Sequence, residues 1–127
     1  MFRLKVALVA LLFPAFIGAI IFVAAGWYDL PFVWGVLGIL AASAVGLALC
    51  ADRNMVAERL KPGGIDQHRV SRILALVLLL MSWILAGLDV GRFHWSLIPV
   101  ELQIVGLIGY AASMGLLLWA MYVNPFY

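Results

Sequence analysis

Side chains able to do acid–base, nucleophilic or metal chemistry are scarce in this 127-residue chain, which has two histidines, one cysteine and six acidic residues. They are also scattered. Neither His68 nor His94 has acidic or histidine neighbours at the spacing a metal site needs. Cys50 has no second thiol, which excludes an internal disulfide, a cysteine-rich metal site and thiol chemistry that runs on paired cysteines. No glycine-rich phosphate loop, nucleotide fingerprint or nucleophile–base pair occurs. The polar residues gather in two places. One is the segment 51–72, with Arg53, Asn54, Glu58, Arg59 and Lys61. The other is 89–101, with Asp89, Arg92, His94 and Glu101.

What surrounds these two segments decides what they can do. The chain is 67% hydrophobic and 11% charged, with a mean hydropathy of +1.15. Soluble domains carry about 45–50% apolar and about 25% charged residues, and a small domain buries only about 60–70% of its chain. The solvent must therefore be largely lipid. A bilayer core of about 30 Å needs about 20 helical residues to cross it. Four stretches supply that length, at about 6–26, 31–50, 70–88 and 99–123, with a polar loop at 51–69 between the second and third. The first stretch has a basic start, like a secretory signal, but its apolar run is longer than a signal core and is read as a retained span. Barrel strands would alternate in hydrophobicity, and the run at 73–88 is apolar on all sides, so helices are required. The expected fold is all-α: one membrane domain of four transmembrane helices in two antiparallel hairpins, with an amphipathic cytoplasmic loop segment.

Charge sets the expected orientation. Arg3, Lys5, Arg53, Arg59, Lys61, Arg69 and Arg72 fall on one side of such a bundle, and Arg92 alone on the other. The positive-inside rule then puts the N-terminus, the 51–69 loop and the C-terminus on the cytoplasmic side of the membrane. Trp27, Tyr28, Phe93 and Trp95 mark the opposite interface. His68 and His94 lie on different sides and cannot share a metal. The pI near 9.0 reflects charges anchoring the chain at lipid headgroups and is not read as a nucleic-acid surface.

Local punctuation fills in the elements. Pro14 lies inside the first span, where it marks a kink or a break. WYDLP (27–31) is a tight turn in which Asp29 can cap the second helix and Pro31 opens it. Gly38, Ala42 and Gly46 form a small-residue ridge on the second helix, as do Gly109 with Ser113 and Ala111 with Gly115 on the fourth. Such ridges let helices approach closely, within the bundle or against another copy. Residues 51–60 mix Met55, Val56 and Leu60 with charges, as an interfacial helix does, before Lys61-Pro62-Gly63-Gly64 breaks it; Asp66 can then cap the third helix. Asp89 and Glu101 lie at helix ends, as interfacial caps or partners of Arg92. No charge lies deep in a span. A small multidrug transporter, similar to this chain in size, depends on a glutamate within its first helix, and 6–26 carries none.

Three segments carry a family resemblance. RNMVAERLKPG (53–63), GLDVGRFHW (87–95) and WAMYVNPFY (119–127) occur in the order and spacing of the isoprenylcysteine carboxyl methyltransferase family in its bacterial branch. Arg53, Asn54, Ala57, Glu58 and Arg59 match its R-N-P…A-E-R segment, with Met55 in place of the usual proline. Asn124, Pro125 and Phe126 match its N-P-F segment. The resemblance covers about residues 50–127, and the first two helices match only in hydrophobicity.

That resemblance implies transfer of a methyl group from S-adenosylmethionine to a lipid-linked carboxylate. The family holds the donor in a C-terminal half marked by R-H-P-x-Y-x-G, which this sequence does not contain. Methyl transfer needs both reactants in register, so the expectation is a membrane scaffold half that is inactive alone, with no cofactor site of its own. Arg53, Asn54, Glu58, Arg59, Asn124 and Pro125 are the positions of substrate-side or structural role. The alternative is a non-catalytic four-helix subunit of a larger membrane complex. The expected partners are the bilayer and another membrane subunit or a second copy.

Overall fold

The computed structural model describes residues 2–50 and 69–124, and among these all regular structure is helical. Four helices are each long and apolar enough to cross a membrane. They are α1 (Phe2–Ala25), α2 (Pro31–Cys50), α3 (Arg69–Leu88) and α4 (Val100–Val123). The expected amphipathic segment at 51–60 and the cap at Asp66 lie outside the described residues.

The boundaries differ from the sequence expectation in instructive ways. α1 begins well before residue 6 and takes Arg3 and Lys5 into its first turns. Its 24 residues give a rod of about 36 Å, so its charged end can reach the headgroups while the rest stays in the hydrocarbon. Pro14 neither breaks nor ends α1, which continues through it; the side chain is buried against its neighbours. α1 stops at Gly26, whose φ of +73° suits glycine and whose N–H donates to the Phe22 carbonyl at 2.9 Å. Asp29 does not cap α2. Its carboxylate has no hydrogen-bond partner among the described residues. The first turn is closed by the Leu30 carbonyl, which accepts from Trp34 N–H at 3.0 Å, and the Trp34 indole donates to the Tyr28 carbonyl at 2.7 Å. α3 does not end in a loop at Leu88. It continues as a π-helical turn, Asp89–Phe93, in a segment expected to be irregular.

Close pairs fix the relative directions. Gly18 faces Leu37, and the rings of Phe22 and Trp34 meet at 5.0 Å, so α1 and α2 are antiparallel. Phe13 meets Trp83, Gly87 meets Ile21 and Gly91 meets Ala25, so α3 runs parallel to α1. Gly35 faces Leu107 and Gly46 faces Leu118, so α4 runs parallel to α2. The start of α1, the end of α2, the start of α3 and the end of α4 therefore share one side.

The helices pack in the order α3, α1, α2, α4. α1 and α2 pack against each other, and among the described residues α3 and α4 do not. The physical reason lies in the partners each found: two glycines bring α3 onto α1, and leucines seat α4 on α2. The link between the edge helices is nonetheless short. Ser96 is tied back to Asp89, which leaves four residues to reach Val100, a span of at most about 14 Å. The row must therefore bend into a trough. α1, α2 and α4 together line its inner side around a space of about 290 Å³ that includes Phe13, Leu40, Met114 and Leu118.

Burial is slight. Ile17, Ile21 and Ala25 form one stripe along α1, joined by Leu37 of α2; Ala48 is buried separately near the end of α2, and α4 has no buried residue. Most large apolar side chains point outward, as lipid permits and water would not.

Candidate functional site

The polar segment 89–96 is the one place among the described residues where several reactive side chains gather, and its construction is local. π-type hydrogen bonding lets the His94 N–H donate to the Asp89 carbonyl at 2.7 Å, with His94 itself in the left-handed region at φ 49°. That reversal returns the chain so that the Ser96 N–H donates to the Asp89 carboxylate at 2.8 Å, and the Ser96 hydroxyl donates to its other oxygen. The Phe93 and Trp95 rings stack at 4.7 Å on the outer surface. Asp89 thus closes a loop, and it is not the partner of Arg92. Glu101 lies in the first turn of α4, where a negative charge favours the helix dipole.

Arg92 reaches across to α1. Its Nη2 donates to the Val23 carbonyl at 3.5 Å, and the guanidinium lies over Gly26. Carbonyls in the last turn of a helix lack partners within the helix, and a cation there also offsets the negative end of the dipole. Two glycines make the reach possible. A Cβ on Gly87 would sit 2.7 Å from the Ile21 carbonyl oxygen, and one on Gly91 would sit 2.4 Å from Ala25 Cα. The backbones of α1 and α3 touch here because neither glycine has a side chain.

The segment therefore has structural work for Asp89, Arg92 and Ser96. Among the described residues, no three His, Cys, Asp or Glu side chains gather as metal ligands do. Three serines within the spans are likewise occupied: Ser43 Oγ donates to Ile39 O at 2.8 Å, Ser82 Oγ to Leu79 O at 2.7 Å, and Ser113 Oγ to Gly109 O at 2.8 Å. Each spends its donor on its own helix, as lipid demands.

Of the positions singled out by sequence, Arg53, Asn54, Glu58, Arg59 and Pro125 lie outside the described residues. Asn124 is the C-cap of α4, its N–H donating to the Ala120 carbonyl at 2.9 Å. The small-residue ridges do not pack as one reading of the sequence has it. Gly38, Gly109 and Gly115 have nothing within reach of a Cβ, and of the α2 ridge only Gly46 touches α4, at 3.4 Å from Leu118. Sequence reasoning missed the pair that does bring backbones together, Gly87 and Gly91. Their signal was legible: glycines four residues apart, but at the end of a span and interrupted by Asp89.

Beside this corner runs a groove of about 590 Å³ between α1 and α3, walled by apolar side chains and closed at one end by Arg92. Sequence reading missed it too, since it arises only from the parallel placement of two helices distant in the chain. No family model, characterised protein or solved structure matches this chain. The methyltransferase resemblance thus stands on its three short motifs.

Proposed function

We propose that this chain is an integral membrane protein that acts as a non-catalytic helical subunit, completing its packing against other membrane helices. The observation that carries the reading is the open row. Among the described residues α3 and α4 each pack on a single neighbouring helix, and α4 turns its small residues, Gly106, Gly109, Ala112 and Gly115, away from it. Helix association in lipid relies on close backbone approach at small residues, and an outward glycine face gives a partner helix that approach. In this reading the termini and the 51–68 segment face the cytoplasm, following the basic residues.

Purification from native membranes in mild detergent tests it, with Cys50→Ser removing the background thiol and Gly109→Cys or Ala112→Cys placing a crosslinker on α4. A crosslinked heteromeric complex is the expected result. A lone monomer that crosslinks to nothing overturns the proposal, and a crosslinked second copy replaces it with a homodimer.

The order of the segments 53–59, 87–95 and 124–126 favours a second reading, the scaffold half of a carboxyl methyltransferase that uses S-adenosylmethionine and a lipid-linked carboxylate. In that reading Arg53, Asn54, Glu58 and Arg59 serve the substrate side. Calorimetric titration of the detergent-purified chain with S-adenosylmethionine tests whether a donor site lies within these residues. No heat is expected if the donor half must come from elsewhere, and saturable binding at micromolar levels would place a cofactor site among these helices.

A further inference from the structure

We infer that the groove between α1 and α3 binds one anionic phospholipid, an acyl chain lying along its walls and the phosphate resting on Arg92. The inference rests on the membrane placement of the chain and does not need a protein partner.

The groove runs beside α1 from Phe16 through Ile20 to Val23, with Ile84 and Leu88 of α3 forming the other wall. Its volume of about 590 Å³ falls within the range of about 300–1,000 Å³ typical of small-molecule pockets. From Phe16 to Ala24 it is about 12 Å long at the helical rise, a length suited to a stretch of hydrocarbon chain. Arg92 alone breaks its apolar lining, and Arg92 sits at one end.

That end is at headgroup depth. Trp27, Tyr28, Phe93 and Trp95 cluster there with at least half of each side chain exposed, the position aromatic residues take at a membrane interface. The cation is available. Among the described residues it is the one Lys or Arg at this end of the bundle, and Asp89, the nearest carboxylate in sequence, is engaged by Ser96. Its hydrogen bond to the Val23 carbonyl is long, at 3.5 Å. The remaining N–H groups of a guanidinium form a fork that matches two phosphate oxygens. A net negative lipid gains more from this than a zwitterionic one, because the latter brings its own cation.

Native mass spectrometry of the full chain in neutral detergent tests the proposal, with dioleoyl-phosphatidylglycerol and dioleoyl-phosphatidylcholine supplied at equal concentration. The wild-type chain is expected to bind its first phosphatidylglycerol about fivefold more tightly than phosphatidylcholine. Arg92→Gln is expected to lose that preference for one bound lipid, and Arg92→Lys to retain most of it. Phosphatidylglycerol held by Arg3, Lys5, Arg69 and Arg72 at the opposite end is the constant background in all variants. Ala19→Phe fills the groove from its outer wall while leaving Arg92 in place, and is expected to remove the same single lipid. It also decides the matter if Arg92→Gln fails to fold for loss of its contact with α1. Unchanged phosphatidylglycerol binding in Ala19→Phe, or an equal preference in wild type and Arg92→Gln, overturns the assignment.

Discussion

The two outer helices are attached by different means. α3 meets α1 backbone to backbone, through Gly87 against Ile21 and Gly91 against Ala25. α4 meets α2 through side chains, with Leu107 laid over Gly35 and Leu118 over Gly46. In lipid no hydrophobic force draws helices together, so contact must come from van der Waals fit and hydrogen bonds. The glycine seam uses both, since it lets Arg92 reach the Val23 carbonyl. The leucine seam uses fit alone, and leucine tips can shift. A seam of touching backbones tolerates no added atom, whereas a seam of side chains gives way by a few tenths of an ångström.

Substitutions at these positions break or sharpen that contrast. Gly91→Ala is expected to be the most damaging, because the new carbon would lie 2.4 Å from both Cα and Cβ of Ala25. A loss of about 3 kcal/mol, read as the shift of an unfolding curve in mixed micelles, is the expected scale. Gly87→Ala follows at about 2 kcal/mol, since the Ile21 carbonyl oxygen stands 2.7 Å away. Should either variant melt like the wild type, the α1–α3 backbone contact is wrong. Gly26→Ala forces an L residue to φ +73° and crowds Arg92 at 3.3 Å, and should cost about 1–2 kcal/mol in the same assay.

On the other seam, Gly35→Ala pushes only on the Leu107 methyl groups at 3.1 Å, and a cost below about 1 kcal/mol is expected. A cost equal to that of Gly87→Ala would abolish the distinction between the seams. Smallest of all, Gly109→Ala and Gly38→Ala meet nothing within 4 Å and should leave stability of the isolated chain within about 0.5 kcal/mol. Gly109→Ala carries a second expectation. If α4 receives a partner helix, recovery of the complex in mild detergent should fall while the melting of the isolated chain stays put.

Much of this organisation was legible beforehand, for reasons that can be named. Uncharged runs such as 31–50 leave a backbone one way to satisfy itself in lipid, and α2 spans Pro31–Cys50 as expected. Pro31 opens that helix because its missing N–H costs nothing there. Asp29 failed as a cap because Leu30 and Trp34 closed the turn through the main chain and the indole. Pro14 failed as a break because its one lost hydrogen bond did not outweigh the rest of a 24-residue helix. The ridges on α2 and α4 had the right spacing for packing, but spacing is silent on which face meets a neighbour. Of the candidate positions only Asn124 falls among the described residues, as the C-cap of α4, and GLDVGRFHW forms the joint that ends α3.

Sequence by itself determined that the described residues hold four helices long and apolar enough to cross a membrane. That follows from hydropathy and from the need of each backbone to bond internally, which are properties of each segment alone. The tertiary structure alone decided the order α3, α1, α2, α4, the bend of the row, the glycine seam and the groove that ends on Arg92. In lipid every span is apolar on all faces, so hydropathy cannot rank one face against another. That choice rests with fit at particular atoms, where Gly91 meets Ala25.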